Sequence, residues 1–282
     1  MNTQTAGVIG GGTMGTGIAY VAALAGAAVT VVEPDAARAA AMQASLQRAA
    51  ASGVKRGKLE QQGADAALAR IHRVASIAEL PEGLDLAIET VSERFELKCQ
   101  VLADIAARSP GLIATNTSAL SIDRLAVAVR DTSCFLGMHF FNPVWSIRLI
   151  EIVRGSATSD AAIARARAFA TEVGKESLVV RDVPGFATSR LDLAASLEAM
   201  RMLESGVASA EDIDRAATLA YHHPVGPLRL SDIVGLDVRL DIARTLEQAH
   251  GPRFAPPAIL IEKVTRGELG QKSGYGFFNW KE

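Results

Sequence analysis

The feature that most constrains the fold is the stretch 6–34, which reads as an apolar strand, a glycine-rich turn, a helix and a second apolar strand. Gly10, Gly12 and Gly15 give the turn the spacing G-x-G-x-x-G. The first glycine of this motif permits a tight turn, the second lets the backbone approach a pyrophosphate, and the third lets the helix pack closely on the strand. The spacing in this context indicates a dinucleotide-binding βαβ unit, so the sequence predicts an α/β fold with a Rossmann-type, doubly wound, mostly parallel sheet.

The same unit indicates which dinucleotide binds. Glu33 ends the second strand, about twenty residues after the turn, where an acidic side chain typically binds the ribose 2′-hydroxyl. A carboxylate there repels the 2′-phosphate of NADP, so NAD is favoured, although the nearby Arg38 keeps NADP as an alternative. The candidate cofactor contacts in the turn are Gly10, Gly12, Thr13, Met14 and Gly15.

Two ionisable residues stand in apolar surroundings further along the chain. His139 lies in the run M-H-F-F, and Glu151 lies in the β-branched run L-I-E-I-V. A buried carboxylate needs a partner, and a carboxylate beside a histidine can fix the tautomer of the ring and stabilise its protonated form. If adjacent strands bring the two side chains together, the pair is a candidate general base. The alternative is a structural histidine in a core strand with an unrelated glutamate at a strand edge.

Polar residues follow two further short strands, predicted at 84–89 and 111–118. Ligands of open α/β sheets bind beyond the carboxyl ends of the strands. We therefore expect a set of polar residues on the cofactor edge, namely Glu89, Thr90, Glu93, Asn116 and Ser118. Lys98, near the start of the next helix, is expected at the surface or at the cofactor edge.

A basic loop with Lys55, Arg56 and Lys58 follows a long helix predicted from Asp35 to about Ala51. One interpretation is a solvated helical hairpin whose charges face water. The other is a clamp for phosphates at the far end of a long substrate. The residues alone leave both open.

A domain boundary is predicted at Val183-Pro184-Gly185, because strand-like alternation nearly vanishes beyond it and helical apolar spacing takes over. We place an NAD-binding domain at 1–184 and a smaller, all-helical substrate and dimerisation domain at 185–282. So short a helical segment with so much apolar surface has to bury a face against the other domain or a second copy. A homodimer formed through the helical domain is the expectation.

Composition narrows the class of protein. The 282 residues are 49% hydrophobic and 21% charged, with a net charge of −2, which gives no sign of a basic face for nucleic acid or an anionic membrane. Cys99 and Cys134 have neither metal-ligand nor disulfide-framework spacing. Only M-N-T-Q-T-A precedes the first strand, which leaves no room for a targeting peptide, so a soluble cytoplasmic protein is expected.

Motifs along nearly the whole chain, taken in order, resemble the NAD-dependent L-3-hydroxyacyl-CoA dehydrogenase family. Within that family the length is similar to the short, single-function 3-hydroxybutyryl-CoA type. The motifs are G-G-G-T-M-G-T-G-I-A, I-E-T-V-S-E-R-F-E-L-K, T-N-T-S-A-L, G-M-H-F-F-N-P, E-I-V-R-G, P-G-F, H-P-V-G-P-L and G-Q-K-S-G-Y-G-F.

The resemblance implies oxidation of an (S)-3-hydroxyacyl-CoA to the 3-oxoacyl-CoA with NAD. It implies that His139 is the catalytic base, that Glu151 is its carboxylate partner, and that Ser118 binds the substrate's 3-oxygen. It places Asn142 beside the nicotinamide and that serine. The positions that match cofactor contacts of the family are Glu33, Glu93, Lys98 and Lys272. Ser45 matches a position that contacts CoA, and the resemblance therefore favours Lys55 and Arg56 as further contacts of CoA.

The chain departs from the family at Ser189, where P-G-F-A-T-S-R replaces the usual P-G-F-x-x-N-R and its site asparagine. The loop also has Ala119 in N-T-S-A, and Trp145 and Ile147 stand where smaller residues or Met are usual. These departures affect the expected acyl-chain preference. The sequence leaves two alternatives open: an NAD-dependent dehydrogenase of another hydroxy acid on the same fold, and a nucleotide-binding regulatory protein with weakened catalysis.

Overall fold

The computed structural model describes residues 3–281, and the outermost residues that the sequence assigns to the two domains, 1–2 and 282, lie outside the described residues. The chain divides into two compact units, the first ending at Val183 and the second beginning at Pro184. Within residues 3–281, every helix is too short or too polar to span a bilayer.

The first unit alternates strands and helices, and the second is built from helices. The strands are β1 (Thr5–Ile9), β2 (Ala28–Val32), β3 (Ile71–Val74), β4 (Leu86–Glu89), β5 (Ile113–Thr115), β6 (Phe135–Phe140), β7 (Leu149–Arg154) and β8 (Glu176–Arg181). The helices are α1 (Thr13–Leu24), α2 (Ala36–Lys55), α3 (Gln61–Ala69), α4 (Phe95–Ala106), α5 (Ile122–Leu125), α6 (Asp160–Glu172), α7 (Thr188–Glu204), α8 (Ala210–Ala220), α9 (Pro227–Val234), α10 (Leu236–His250) and α11 (Ala258–Thr265).

One sheet with the strand order β3-β2-β1-β4-β5-β6-β7-β8 forms the centre of the first unit. The strands β1 to β6 run parallel, whereas β7 pairs with β6 in the antiparallel direction and with β8 in the parallel direction. The predicted doubly wound, mostly parallel sheet is therefore confirmed. The strand order reverses at β1, where such sheets place their ligands.

Glycines dictate the turn from β1 into α1. Gly10 has φ +113°, a backbone conformation that residues other than glycine rarely adopt. A Cβ on Gly15 would stand 1.9 Å from the carbonyl oxygen of Gly10, so only glycine lets α1 start so close to the strand. The interior face of α1, with Ile18 and Val21, then packs into the apolar core that covers the sheet.

Capping side chains start several helices. Ser159 accepts a hydrogen bond from the Ala162 N–H at the start of α6. Asp35 caps α2, which continues past the predicted end to Lys55, so the first cation of the predicted basic loop belongs to the helix.

An apolar stripe of α7, with Leu193, Leu197 and Met200, lies inside the core of the second unit. Ser209 caps α8. The helix α10 begins directly after Gly235, whose φ of +103° ends the preceding helix sharply.

Candidate active site

A groove of about 530 Å³ lies at the carboxyl ends of β1, β2 and β4. Its lining includes Gly10, Gly12, Glu33, Thr90 and Ser92. Among the described residues, nothing lies within 4 Å of where a Cβ of Gly12 would stand, so the N-terminus of α1 opens onto free space. Helix N-termini carry partial positive charge and bind phosphates, so this cradle fits the pyrophosphate of NAD.

Glu33 sits at the end of the groove that suits a ribose. It is 3% exposed, and its carboxylate accepts from the N–H groups of Gly11 at 3.1 Å and Asp35 at 3.0 Å. Arg38 donates to it through Nε at 3.0 Å. Burial opposes ionisation, but these hydrogen bonds hold the pKa of Glu33 below its ordinary value. The ion pair with Glu33 offsets the positive charge that Arg38 would otherwise present to the 2′-phosphate of NADP.

His139 and Glu151 meet on adjacent strands, as the sequence predicts. They are direct register partners of the antiparallel pair β6 and β7, and Nδ1 of His139 lies 2.8 Å from Oε2 of Glu151. The histidine is 5% exposed and the glutamate is fully buried. When Nδ1 donates its proton to this carboxylate, Nε2 is left as the acceptor that a general base requires.

Ser118 completes a row of three side chains. It lies in the loop after β5, and its Oγ is 3.0 Å from Nε2 of His139, on the side of the ring opposite Glu151. A hydroxyl oxygen bound at Nε2 therefore faces both a proton acceptor and a second hydroxyl. This is the arrangement needed to move a proton to or from an alcohol.

Two asparagines lie near this row along the chain. Asn116 accepts the backbone N–H of Phe140 with its Oδ1 at 3.0 Å, which ties the end of β5 to the strand that carries His139. Asn142 follows β6 and is exposed, and its peptide bond to Pro143 is cis. Asn116 thus braces the strand, whereas Asn142 has a side chain accessible to a ligand.

Lys98 is not a surface residue, and this part of the sequence-based expectation is wrong. It is fully buried, and its Nζ donates to both carboxylate oxygens of Glu89 at 2.9 and 2.8 Å and to the Asn116 carbonyl at 3.2 Å. Burial raises the pKa of Glu89 despite these donors. Glu93 also contacts this region and accepts the Ser118 N–H at 3.1 Å.

A second cavity, of about 430 Å³, lies between α2 and the segment after β6. Of the three residues proposed from the sequence to bind CoA, Ser45 and Arg56 line it, whereas Lys55 is exposed outside the lining. Several lining residues were not predicted from the sequence to contact CoA, namely Tyr20, Arg48, Ser52 and Trp145. Helical spacing from Ser45 at i+3 and i+7 could have indicated Arg48 and Ser52.

A buried lysine holds one wall of this cavity. The Nζ of Lys175 donates to the carbonyl oxygens of Val144 and, at 2.6 Å, of Ile147. Burial lowers the pKa of this amine. Since Trp145 lies between the two carbonyls, Lys175 fixes the segment that carries this ring to the cavity.

Two further sequence-predicted residues belong to the second unit. Ser189 is half-buried in the first turn of α7. Lys272 donates to Asp237 Oδ2 at 2.6 Å, and this hydrogen bond lowers the pKa of Asp237. The positions of Ser189 and Lys272 are therefore given relative to the other residues of the second unit.

Comparison with known proteins gives a consistent result over the whole chain. The model for the 3-hydroxyacyl-CoA dehydrogenase NAD binding domain matches residues 5–183, and that for the C-terminal domain matches residues 185–280. A 3-hydroxybutyryl-CoA dehydrogenase of Mycobacterium tuberculosis is 38% identical, with 98% of each chain covered. One from Bradyrhizobium diazoefficiens is 37% identical over 98% of this chain and 94% of its own.

A solved structure agrees with these relatives. The (S)-3-hydroxybutyryl-CoA dehydrogenase PaaH1 of Ralstonia eutropha superposes with a TM-score of 0.92 at 36% identity, covering 99% of this chain and 100% of the other. The resemblance read from the motifs is confirmed. The chain belongs to the 3-hydroxyacyl-CoA dehydrogenase family and is an NAD-dependent dehydrogenase of hydroxyacyl-CoA.

Proposed function

We propose that this dehydrogenase acts on short acyl chains, interconverting (S)-3-hydroxybutyryl-CoA and acetoacetyl-CoA, and that it serves fatty-acid degradation by β-oxidation in the cytoplasm. The observation that carries the proposal is the row Ser118, His139 and Glu151, with contacts of 3.0 and 2.8 Å. Relatives named 3-hydroxybutyryl-CoA dehydrogenase support the short chain.

In the oxidising direction, Nε2 of His139 removes the proton of the substrate's 3-hydroxyl. NAD, when bound, would supply the hydride acceptor for the carbon that bears this hydroxyl. Glu151 stabilises the imidazolium that forms, and Ser118 donates a hydrogen bond to the substrate oxygen and so orients it. In the reverse direction the protonated Nε2 returns the proton to the 3-oxygen. General acid–base catalysis of this kind contributes about 100- to 10,000-fold to the rate.

The cofactor is proposed to bind along the groove at the carboxyl end of the sheet. Gly10, Gly12, Thr13, Met14 and Gly15 would hold the pyrophosphate at the start of α1. Glu33 would accept hydrogen bonds from the hydroxyls of the adenosine ribose. The exposed side chain of Asn142 would approach the nicotinamide. Lys272 remains a proposed cofactor contact from the second unit.

The CoA part of the substrate is proposed to bind in the cavity beside α2. Arg48, Arg56 and Lys58 supply three positive charges to its lining, and Ser45 supplies a hydroxyl. CoA carries several phosphate groups, and arginine binds phosphate oxygens through paired N–H donors. Lys55, one residue before Arg56 but outside the lining, would contribute only long-range attraction.

We also propose a homodimer through the second unit. That unit exposes large apolar side chains, among them Leu191, Leu219, Tyr221, Ile233 and Val238. Apolar surface of this kind is typical of surfaces that a partner covers. A second copy of the chain would cover this apolar surface, so no other protein is needed to cover it.

An assay of NADH consumption tests the substrate. Acetoacetyl-CoA, longer 3-oxoacyl-CoAs and free acetoacetate are compared for the unaltered protein and for His139→Gln. We expect the highest kcat/KM on acetoacetyl-CoA and no measurable turnover of free acetoacetate. His139→Gln should lose nearly all turnover, while its affinity for NADH stays within about threefold of that of the unaltered protein. Equal turnover of free acetoacetate would instead favour a dehydrogenase of another hydroxy acid. A preference for long chains would contradict the short-chain assignment.

A further inference from the structure

The carboxylate of Glu93 is shared between a loop and a buried cation. Its Oε1 accepts the hydroxyl of Thr117, the N–H of Ser118 at 3.1 Å and the N–H of Ala119 at 3.3 Å. Its Oε2 lies 3.4 Å from Nζ of Lys98. One oxygen therefore gathers three donors from consecutive residues, and the other faces a charge that cannot move away, because Lys98 is fully buried.

The cation itself is fixed by the sheet. Nζ of Lys98 donates to both carboxylate oxygens of Glu89, the last residue of β4, and to the carbonyl of Asn116, which follows β5. The side chain of Asn116 in turn accepts the N–H of Phe140, the residue after His139. A continuous set of contacts thus runs from the loop of Ser118 to the strand that carries the histidine. It consists of hydrogen bonds and the ion pair between Glu93 and Lys98.

We infer that Glu93 is a positioning residue for Ser118, which acts by holding the 117–119 loop so that the serine hydroxyl stays at Nε2 of His139. The inference rests on the proposed role of Ser118 in the reaction. It differs from a direct contact with the cofactor, which the family resemblance implies for Glu93.

The physical need for such a residue follows from where Ser118 stands. It lies beyond the end of β5 and is exposed, so no sheet hydrogen bond or core packing fixes its backbone. Displacement of a reacting group by about 1 Å can cost on the order of 100-fold in rate. Hydrogen bonds to an ionised carboxylate are about twice as strong as neutral ones, which suits Glu93 for this task.

A double-mutant cycle tests the inference with Glu93→Ala, Ser118→Ala and the combination. The readouts are kcat on acetoacetyl-CoA, the Kd of NADH from its fluorescence, and the midpoint of thermal unfolding. Thr117→Val removes one donor to the same oxygen, together with the hydroxyl that accepts the N–H groups of Ala119 and Leu120 in this loop. Thr117 is 2% exposed and so has no surface for a cofactor. Glu96→Gln is the matched control, because it removes an exposed charge from the first turn of α4.

We expect Glu93→Ala to lower kcat by about 10- to 100-fold and Thr117→Val by about three- to tenfold, with the Kd of NADH within about threefold. In the Ser118→Ala background, Glu93→Ala should change kcat by less than about twofold, because the group that it positions is gone. Glu96→Gln should leave all three readouts unchanged.

Other outcomes overturn the inference in distinguishable ways. If Ser118→Ala retains full turnover, the proposed role of the serine fails and the inference fails with it. If Ser118→Ala is impaired but Glu93→Ala costs the same factor in both backgrounds, the proposed function stands and the positioning role is wrong. A Kd for NADH raised more than about tenfold, with kcat kept, would make Glu93 a cofactor contact. Should Glu93→Ala fail to fold, Thr117→Val carries the same cycle.

Discussion

His139 and Glu151 are opposed residues of one antiparallel strand pair, and the ring nitrogen Nδ1 lies 2.8 Å from the carboxylate oxygen Oε2. The backbone ladder of β6 and β7 therefore sets their separation. Because Glu151 is fully buried, water does not compete for its oxygens. A buried carboxylate in this position determines both the tautomer of the ring and the stability of its protonated form.

Glu151→Gln should therefore remove most turnover while preserving the fold. The amide has the same shape but no charge to stabilise the imidazolium, and its NH₂ group can reverse the tautomer. We expect kcat to fall about 100- to 10,000-fold, with the Kd of NADH within about threefold. Steady-state kinetics and a fluorescence titration measure the two. A kcat within about tenfold of the unaltered protein would show that the carboxylate is not needed.

The two glycines at the start of α1 should respond to alanine in opposite ways. A Cβ on Gly15 would lie 1.9 Å from the Gly10 oxygen, whereas a Cβ on Gly12 would enter free space in the groove. Gly15→Ala should lower the free energy of unfolding by about 3 kcal/mol or more. Gly12→Ala should keep its stability and weaken NADH binding by about tenfold or more. Thermal unfolding and an NADH titration of both variants decide this, and unchanged NADH affinity in Gly12→Ala would place the pyrophosphate elsewhere.

Cofactor preference should depend on Glu33 and Arg38 together. Glu33→Ala removes the carboxylate that repels a 2′-phosphate and frees Arg38 to attract it. We expect the preference for NADH over NADPH to fall by about tenfold or more, mainly through the KM of the cofactor. The double variant Glu33→Ala, Arg38→Ala should not show the increased use of NADPH that Glu33→Ala shows alone. Equal use of both cofactors by the unaltered protein would contradict the assignment.

The same preference should be insensitive to pH in the neutral range. The hydrogen bonds to Glu33 hold its pKa below the ordinary value of 4.5, so its carboxylate keeps its charge as the pH falls and loses it only below that value. The ratio of kcat/KM for NADH and NADPH should thus stay constant from about pH 6 to pH 9, once the separate ionisation of the NADPH phosphate near pH 6 is allowed for. A ratio that changes steadily above pH 7 would mean that another group sets the preference.

Ser189 replaces the asparagine that the family usually has at this position. A hydroxyl is shorter than an amide but can donate directly or through one water, so we expect an active enzyme. Ser189→Ala should cost about tenfold or less in turnover, and Ser118→Ala should cost more. Ser189→Asn should be nearly neutral. Turnover of these variants on acetoacetyl-CoA tests this, and a gain of roughly 100-fold in Ser189→Asn would show that the natural site is poorly matched to this substrate.

The parts of the fold that local sequence dictates could be predicted. The glycine spacing indicated the dinucleotide turn, and the apolar runs around His139 and Glu151 indicated that both side chains are buried. Ser159 and Ser209 were recognisable as helix caps because capping depends on residues only a few positions apart.

The rest depends on contacts between distant residues. Lys98 reads as a surface residue of an ordinary helix, and its burial becomes explicable only when Glu89 and the Asn116 carbonyl converge on it from the ends of two strands. The wall held by Lys175 is equally invisible, because its acceptors are backbone carbonyls roughly thirty positions away and backbone oxygens have no sequence signature. Arg48 was missed because its spacing from Ser45 is the one sequence signal of the face of α2 that meets the cavity, and a single position is a weak guide to a helix face.

The reversal of strand direction at β7 has a consequence for how such a protein can change over evolutionary time. It puts the acid–base pair inside a hydrogen-bonded ladder, whereas Ser118 and Trp145 stand on connecting segments and Arg56 stands at the end of a helix. Loops tolerate substitution and insertion far better than paired strands do. Descendants of this chain can therefore change their acyl-group specificity by substitutions in the connecting segments, while the pair of His139 and Glu151 is retained.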